Sequence, residues 1–159
     1  MVVRPVRPQN GHLLRRSAKG GSAHLTIKNR NAIDAIVILT RASAPRTPVL
    51  AVYVRAKSKA TVSRVPDGRY TAWDCIGRDY NTYMRDFLTT EEHVKWRDQL
   101  VFATKSTTNY WTTYSSDAWW VYSQRHSQTH TDWTNWTLTL GNGPSKYSTI
   151  TTASRFPKL

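Results

Sequence analysis

The sequence predicts an all-β fold, a single antiparallel β-sandwich of roughly seven to nine strands, behind a flexible basic N-terminal arm. Three observations predict it. Short apolar segments recur with turn residues about every 8–12 positions. No helix-length crossover separates the first five of them, which argues against a parallel sheet. The chain has 159 residues, 39 % apolar and 21 % charged, enough for one core in one domain and too apolar for disorder. No apolar run approaches the roughly 20 residues of a spanning helix, and Met1-Val2-Val3-Arg4-Pro5 lacks the apolar core of a signal peptide.

Residues 1–22 contain Pro5, Pro8, Gly11, Gly20 and Gly21 with no helical or strand period, and are expected to be a basic arm or linker. From Ala23 the pattern changes. Ala23, Leu25 and Ile27 alternate with His24, Thr26 and Lys28, the mark of a strand covered on one face. Ile33 to Leu39 is a nearly continuous β-branched run and predicts a central strand. Ala44-Pro45-Arg46-Thr47-Pro48 is expected to break the chain before a third strand over Val49–Ala56. Ala60–Val65 predicts a fourth strand, Pro66-Asp67-Gly68 a reversal, and Arg69–Ile76 a fifth strand closed by Gly77.

Residues 89–99 support two readings: a helix start, with Thr89 and Glu92 as a capping box, or a strand through Val94 and Trp96. Leu100–Thr104, Ala118–Ser123 and Trp133–Leu140 read as strands, the last with Trp136, Leu138 and Leu140 on one face. Gly141-Asn142-Gly143-Pro144 is expected to turn the chain, Tyr147–Thr152 to form a last strand, and Phe156 to pin the tail to the core.

The formal charge of +13 is unevenly placed. Residues 1–64 carry 13 Lys and Arg against one acid, Asp34, whereas residues 65–159 carry ten against nine. Such a field concentrates polyanions without choosing among them, so nucleic acid, anionic lipid and an anionic wall polymer all remain open. A solvated surface that keeps the protein soluble is the plain alternative. Arg4, Arg7, Arg15, Arg16, Lys57 and Lys59 are the candidate basic patch.

Few residues invite catalysis. His126 and His130, four apart with Asp132 nearby, would share a face on a helix and hold a metal there, but no apolar stripe supports such a helix. They are weak metal candidates, with solvated loop histidines as the default. Cys75 is the sole cysteine, which excludes an internal disulfide and any multi-thiolate site. Beside Trp73 and Asp74, with Asp79 further on, it reads as a small buried hydrophobe rather than a nucleophile. Glu91, Glu92 and Asp98 are formally able to supply a glycosidase pair, with surface acids the default. No catalytic residue is assigned and no cofactor is expected.

The aromatic content is more informative. Five of the seven tryptophans, Trp111, Trp119, Trp120, Trp133 and Trp136, lie between residues 105 and 140, with Tyr110, Tyr114 and Tyr122 among them. Core filling is the default for most of these rings. Strand alternation places one of Trp119 and Trp120 in the core and the other outside. An exposed platform is expected among Trp111, Tyr114, Trp119, Trp120, Tyr122 and Trp133, where stacking on a sugar or a base is favourable.

Leu25-Thr26-Ile27-Lys28-Asn29, Asp34-Ala35-Ile36-Val37, Tyr53-Val54-Arg55-Ala56, Pro66-Asp67-Gly68-Arg69-Tyr70 and Trp136-Thr137-Leu138-Thr139-Leu140 together resemble an uncharacterised bacterial β-sandwich family. Gly77-Arg78-Asp79-Tyr80 stands where that family usually has Gly, a variable residue, Asp and Trp, and Gly141-Asn142-Gly143 with Phe156-Pro157 is similar to its closing segment. The resemblance runs from about Asn10 to Pro157 and implies an extracytoplasmic or cell-surface location behind an N-terminal anchor, although no anchor precedes residue 10. Against the family pattern, residues 109–132 look like a Trp/Tyr-rich insertion in a domain spanning 23–157, and Glu91 replaces a second cysteine of some relatives, leaving Cys75 unpaired. The Val65-to-Tyr70 turn also resembles that of transthyretin-like modules, which bears on the fold alone, an immunoglobulin/transthyretin-like sandwich. The expected function is a non-enzymatic binding or assembly module. A carbohydrate or anionic polymer ranks first as partner and self-association second. A nucleic-acid-binding protein is the alternative, with the arm neutralising phosphates and the rings stacking bases.

Overall fold

A computed structural model describes residues 5–17, 19–116, 119–141, 148–151 and 154–159. These residues form β1 (Leu13–Arg16), β2 (Ala23–Asn29), β3 (Asp34–Arg41), β4 (Ala44–Val54), β5 (Lys59–Val65), β6 (Gly68–Asn81), β7 (Asp86–Trp96), β8 (Leu100–Phe102), β9 (Thr104–Ser116), β10 (Val121–Trp133), β11 (Trp136–Leu140) and β12 (Ser148–Ile150). The larger sheet runs β1-β4-β3-β6-β7-β12, with β8 also on β6; the smaller runs β11-β2-β5; and β9 and β10 form a separate two-stranded ribbon. The protein is an all-β sandwich, antiparallel except that β11 lies parallel to β2.

The two sheets close on Leu25, Ile27, Val37, Leu39, Leu50, Val52, Val62, Tyr70, Phe102, Leu138 and Leu140. Alternation in β2 and β11 sends these side chains inward and leaves their polar neighbours outside. The continuous burial of β3 has a different cause. The other face of the large sheet carries a second buried cluster, Ile36, Ile38, Tyr53, Trp73, Tyr80 and Phe87, with the tail residue Phe156 packed against it. The rings meet edge to face, Tyr53 with Tyr80 at 5.5 Å and Trp73 with Phe156 at 6.0 Å. Phe156 thus anchors the tail as its apolarity predicts.

Several boundaries differ from the sequence reading, each for a reason of pairing. Residues 13–16, assigned there to the arm, form β1 on the edge beside β4, too short to show a period. β4 starts at Ala44 despite Pro45 and Pro48, because the β3–β4 ladder is irregular there and spares the missing N–H groups. β6 does not stop at Gly77 but continues to Asn81, and the register shifts there by one extra residue, Glu91, on β7. A Cβ at Gly77 would stand 2.5 Å from the Thr89 carbonyl oxygen and 2.6 Å from the Phe87 ring, so only glycine lets the strands approach. Residues 89–96 belong to β7: Thr89 and Glu92 face Arg78 and Ile76 across the ladder, and pairing outweighs local capping. Asn142–Pro144, Tyr147 and Thr152 lie outside the described residues.

Candidate functional site

The ribbon is the feature that sets this molecule apart from an inert sandwich. Its strands pair without interruption from Thr104 with Trp133 to Ser116 with Val121. Thirteen residues per strand give a length of about 40 Å at the usual rise. All its strand residues are exposed but His126, which is half-buried.

The ribbon is held firmly at its root. The Asp67 carboxylate accepts from the Thr104 amide at 3.0 Å and from the Thr104 hydroxyl at 2.8 Å. The Thr134 amide donates to the Ala103 carbonyl at 3.0 Å, and the Trp136 indole to the Val101 carbonyl at 2.8 Å. The Asn135 side chain accepts from the His24 amide at 2.8 Å. β8 belongs to one sheet and β11 to the other, so the ribbon springs from the seam between them.

Cross-strand register decides which side chains share a face. Tyr110, Tyr114, Arg125 and Trp133 lie on one face with a ladder of hydroxyls, in which Ser106 bonds Thr131 at 3.0 Å and Thr108 bonds Thr129 at 2.9 Å. Trp111 and Tyr122 lie on the other with His126 and His130. The Arg125 guanidinium sits 5.1 Å from the Tyr110 ring centre, and Trp111 stacks on His126 at 5.4 Å. Trp119 and Trp120 cap the far end, 88 % and 67 % exposed.

All six expected platform residues, Trp111, Tyr114, Trp119, Trp120, Tyr122 and Trp133, therefore lie on one exposed element. Core filling is corrected for these rings, and so is the division of Trp119 and Trp120 between core and solvent. Both precede β10 at the end of a ribbon that has no core beneath it. Trp136 alone of the five clustered tryptophans packs against the sandwich core.

The basic residues do not form one patch. Arg4 lies outside the described residues. Arg7 is fixed by a two-pronged contact with Asp34, both bonds at 2.9 Å. Burial alone would raise the Asp34 pKa, but Arg7, the Tyr53 hydroxyl and the Ala56 amide together hold it down at about 2. Arg15 is exposed on the edge strand, while Arg16 donates to the carbonyls of Ser63 and Arg64. Lys57 donates to the Arg30 carbonyl, and Lys59 is exposed on β5.

The catalytic and metal candidates are dispersed. His126 and His130 stand in an extended strand, where positions four apart are separated by about 13 Å rather than one helical turn. Thr113 lies 2.7 Å from the His126 ring nitrogen, and His130 pairs with Asp132 at 3.0 Å. No group of three or more metal-ligating side chains gathers among the described residues. Glu91 pairs with Arg78 at 3.3 Å on the surface, and Asp98 is exposed between β7 and β8. The carboxylates that do approach one another are Asp74 and Glu92, diagonal across the β6–β7 ladder. Burial raises Asp74 to about 7, opposed by the Trp96 indole, which donates to it at 2.8 Å, and reinforced by Glu92.

Sequence reasoning missed a cavity of about 380 Å³ lined by Cys75, Asp86, His93 and Phe156. Cys75 faces His93 directly in the ladder, a cross-strand pairing that spacing along the chain does not reveal. Burial pushes the Cys75 thiol well up and the His93 imidazole down, which favours two neutral groups. A thiolate nucleophile needs the opposite field. In comparison with known proteins, no family model, no curated protein and no solved structure matches this chain, so its reading rests on the geometry above.

Proposed function

We propose that this protein is a non-enzymatic assembly module whose contact element is the β9–β10 ribbon, and that it associates with further copies of itself. One observation carries the reading. The ribbon exposes aromatic rings on both faces and at its end, and it has a free hydrogen-bonding edge on either side among the described residues. An isolated two-stranded hairpin is marginally stable in water, and further strands or a packed face make it secure. A protein surface can enclose both faces and add strands at both edges. A polymer lying on a single flat platform cannot do so.

Charge supports the same choice. Lys105 and Arg125 balance Asp117 and Asp132 between residues 104 and 133, so the ribbon is formally neutral with His uncharged. Neither self-repulsion nor polyanion attraction governs what it meets. Its rings and hydroxyls favour apolar contact edged by hydrogen bonds.

A carbohydrate reading has one observation of its own. Tyr110 and Tyr114 share a face with a row of Thr and Ser hydroxyls, a pairing of ring and hydroxyl that suits a sugar. Sedimentation velocity over a concentration series separates the two. Self-association of the parent chain that is abolished in Trp119→Ser/Trp120→Ser, with the melting temperature unchanged, is the expected outcome. A parent chain that stays monomeric at the highest concentration overturns it, and retention of that monomer on insoluble polysaccharide puts the sugar reading in its place.

A further inference from the structure

A second surface, independent of the ribbon, lies on the outer face of the β11-β2-β5 sheet. We infer that this face docks on the phosphate backbone of duplex nucleic acid. Alternation in β2, β5 and β11 buries Leu25, Ile27, Val62, Leu138 and Leu140 and turns their polar neighbours outward. Register arranges the outward residues in rows. Thr139, Lys28 and Lys59 form one row, and Thr137, Thr26 and Thr61 the next. Arg30 and Lys57 extend the cationic end, joined through the bond from the Lys57 ammonium to the Arg30 carbonyl.

Five features point to an anionic partner. The three strands contain no Asp or Glu. Asp34, the only acid in the first 64 residues, is occupied by Arg7 and Tyr53. None of Lys28, Arg30, Lys57 and Lys59 meets a carboxylate in an ion pair among the described residues. Lys28 and Lys59 stand directly opposite each other, an arrangement that is unfavourable unless an anion bridges the two ammonium groups. Cations also occupy left-handed positions at both ends of β5, Lys57 at φ 56° and Arg64 at φ 60°, where glycine is the less strained choice.

The make-up of the face selects among anions. Its hydroxyls and ammonium groups suit phosphate oxygens. It displays no large apolar side chain for insertion into a lipid surface, and no Trp, Tyr or Phe on which an unpaired base would stack. A cationic face without Trp, Tyr or Phe fits a paired backbone. It spans about 13 Å along β5, and a duplex carries one charge per roughly 1.7 Å of its axis.

Fluorescence anisotropy with a labelled random-sequence duplex across a salt series tests this. Contact by four cations predicts a log–log salt slope of about −3 to −4. Lys28→Gln/Lys59→Gln is expected to bind more weakly and to reduce that slope by about 2 without lowering the melting temperature. Trp119→Ser/Trp120→Ser is expected to leave duplex affinity unchanged, so failure here is distinguishable from failure of the ribbon reading. Absence of duplex binding at low salt overturns the inference. So do a slope that survives the double substitution, and tighter binding to single strands, to heparin or to phosphatidylserine vesicles than to the duplex.

Discussion

Asp34, partly buried, and Asp74, buried, illustrate how neighbours decide whether burial sets the state of a side chain. Asp34 is desolvated, yet Arg7, Tyr53 and the Ala56 amide keep it ionised down to about pH 2. Its folded pKa lies below the ordinary 3.8, so its stabilisation is present above about pH 4 and is lost as pH falls toward 2. Asp74 has no cation to offset its burial, and its folded pKa rises to about 7. The sign reverses: its contribution is complete below about pH 4 and is lost as pH climbs through 7. Asp74→Asn keeps an acceptor for the Trp96 indole and carries no charge. Thermal melts should show the variant more stable than the parent at pH 8, and the two alike at pH 4. Equal melting temperatures at pH 8 would rule out a charged, strained Asp74.

At the scale of elements, the strands that alternate or run apolar were legible in the sequence, because a period of two and a β-branched run have one economical packing. β2, β3, β5 and β11 show this. What was hidden depends on pairing across the chain. Thr89 and Glu92 fit a capping box locally, and only the β6 partner makes them ladder residues. The six ring positions are exposed as expected, but the split between Trp119 and Trp120 presumed a core that the ribbon does not have. The cavity beside Cys75 had no sequence signal, since His93 joins it through register alone. The ribbon root carries its own test. Asp67→Ala removes both bonds to Thr104, and a loss of about 1–2 kcal/mol in stability is expected from the deprived amide. Hydrogen exchange in β9 and β10 should accelerate first, and unchanged exchange there would show that Asp67 does not hold the ribbon.

At the scale of the molecule, the tail packs on the outer face of the large sheet. Phe156 reaches back to Trp73 and to His93, 4.8 Å from the imidazole, and covers the face that holds Cys75. Phe156→Ala should cost about 3 kcal/mol. It should also open Cys75 to a thiol reagent under native conditions, where the parent reacts only on unfolding. Modification of Cys75 at the parent rate in that variant would mean that the tail is not its cover.

The parallel pairing of β2 with β11 has a consequence for how the protein comes into being. His24 and Asn135, bonded at the edge of that ladder, are 111 positions apart. Closing so long a loop is slow compared with forming a hairpin. During synthesis, β2 therefore waits for its second neighbour until β11 has been made, and the β9–β10 ribbon emerges before the smaller sheet beneath it is sealed. A newly made molecule thus exposes the rings of that ribbon to solvent before its smaller sheet is complete.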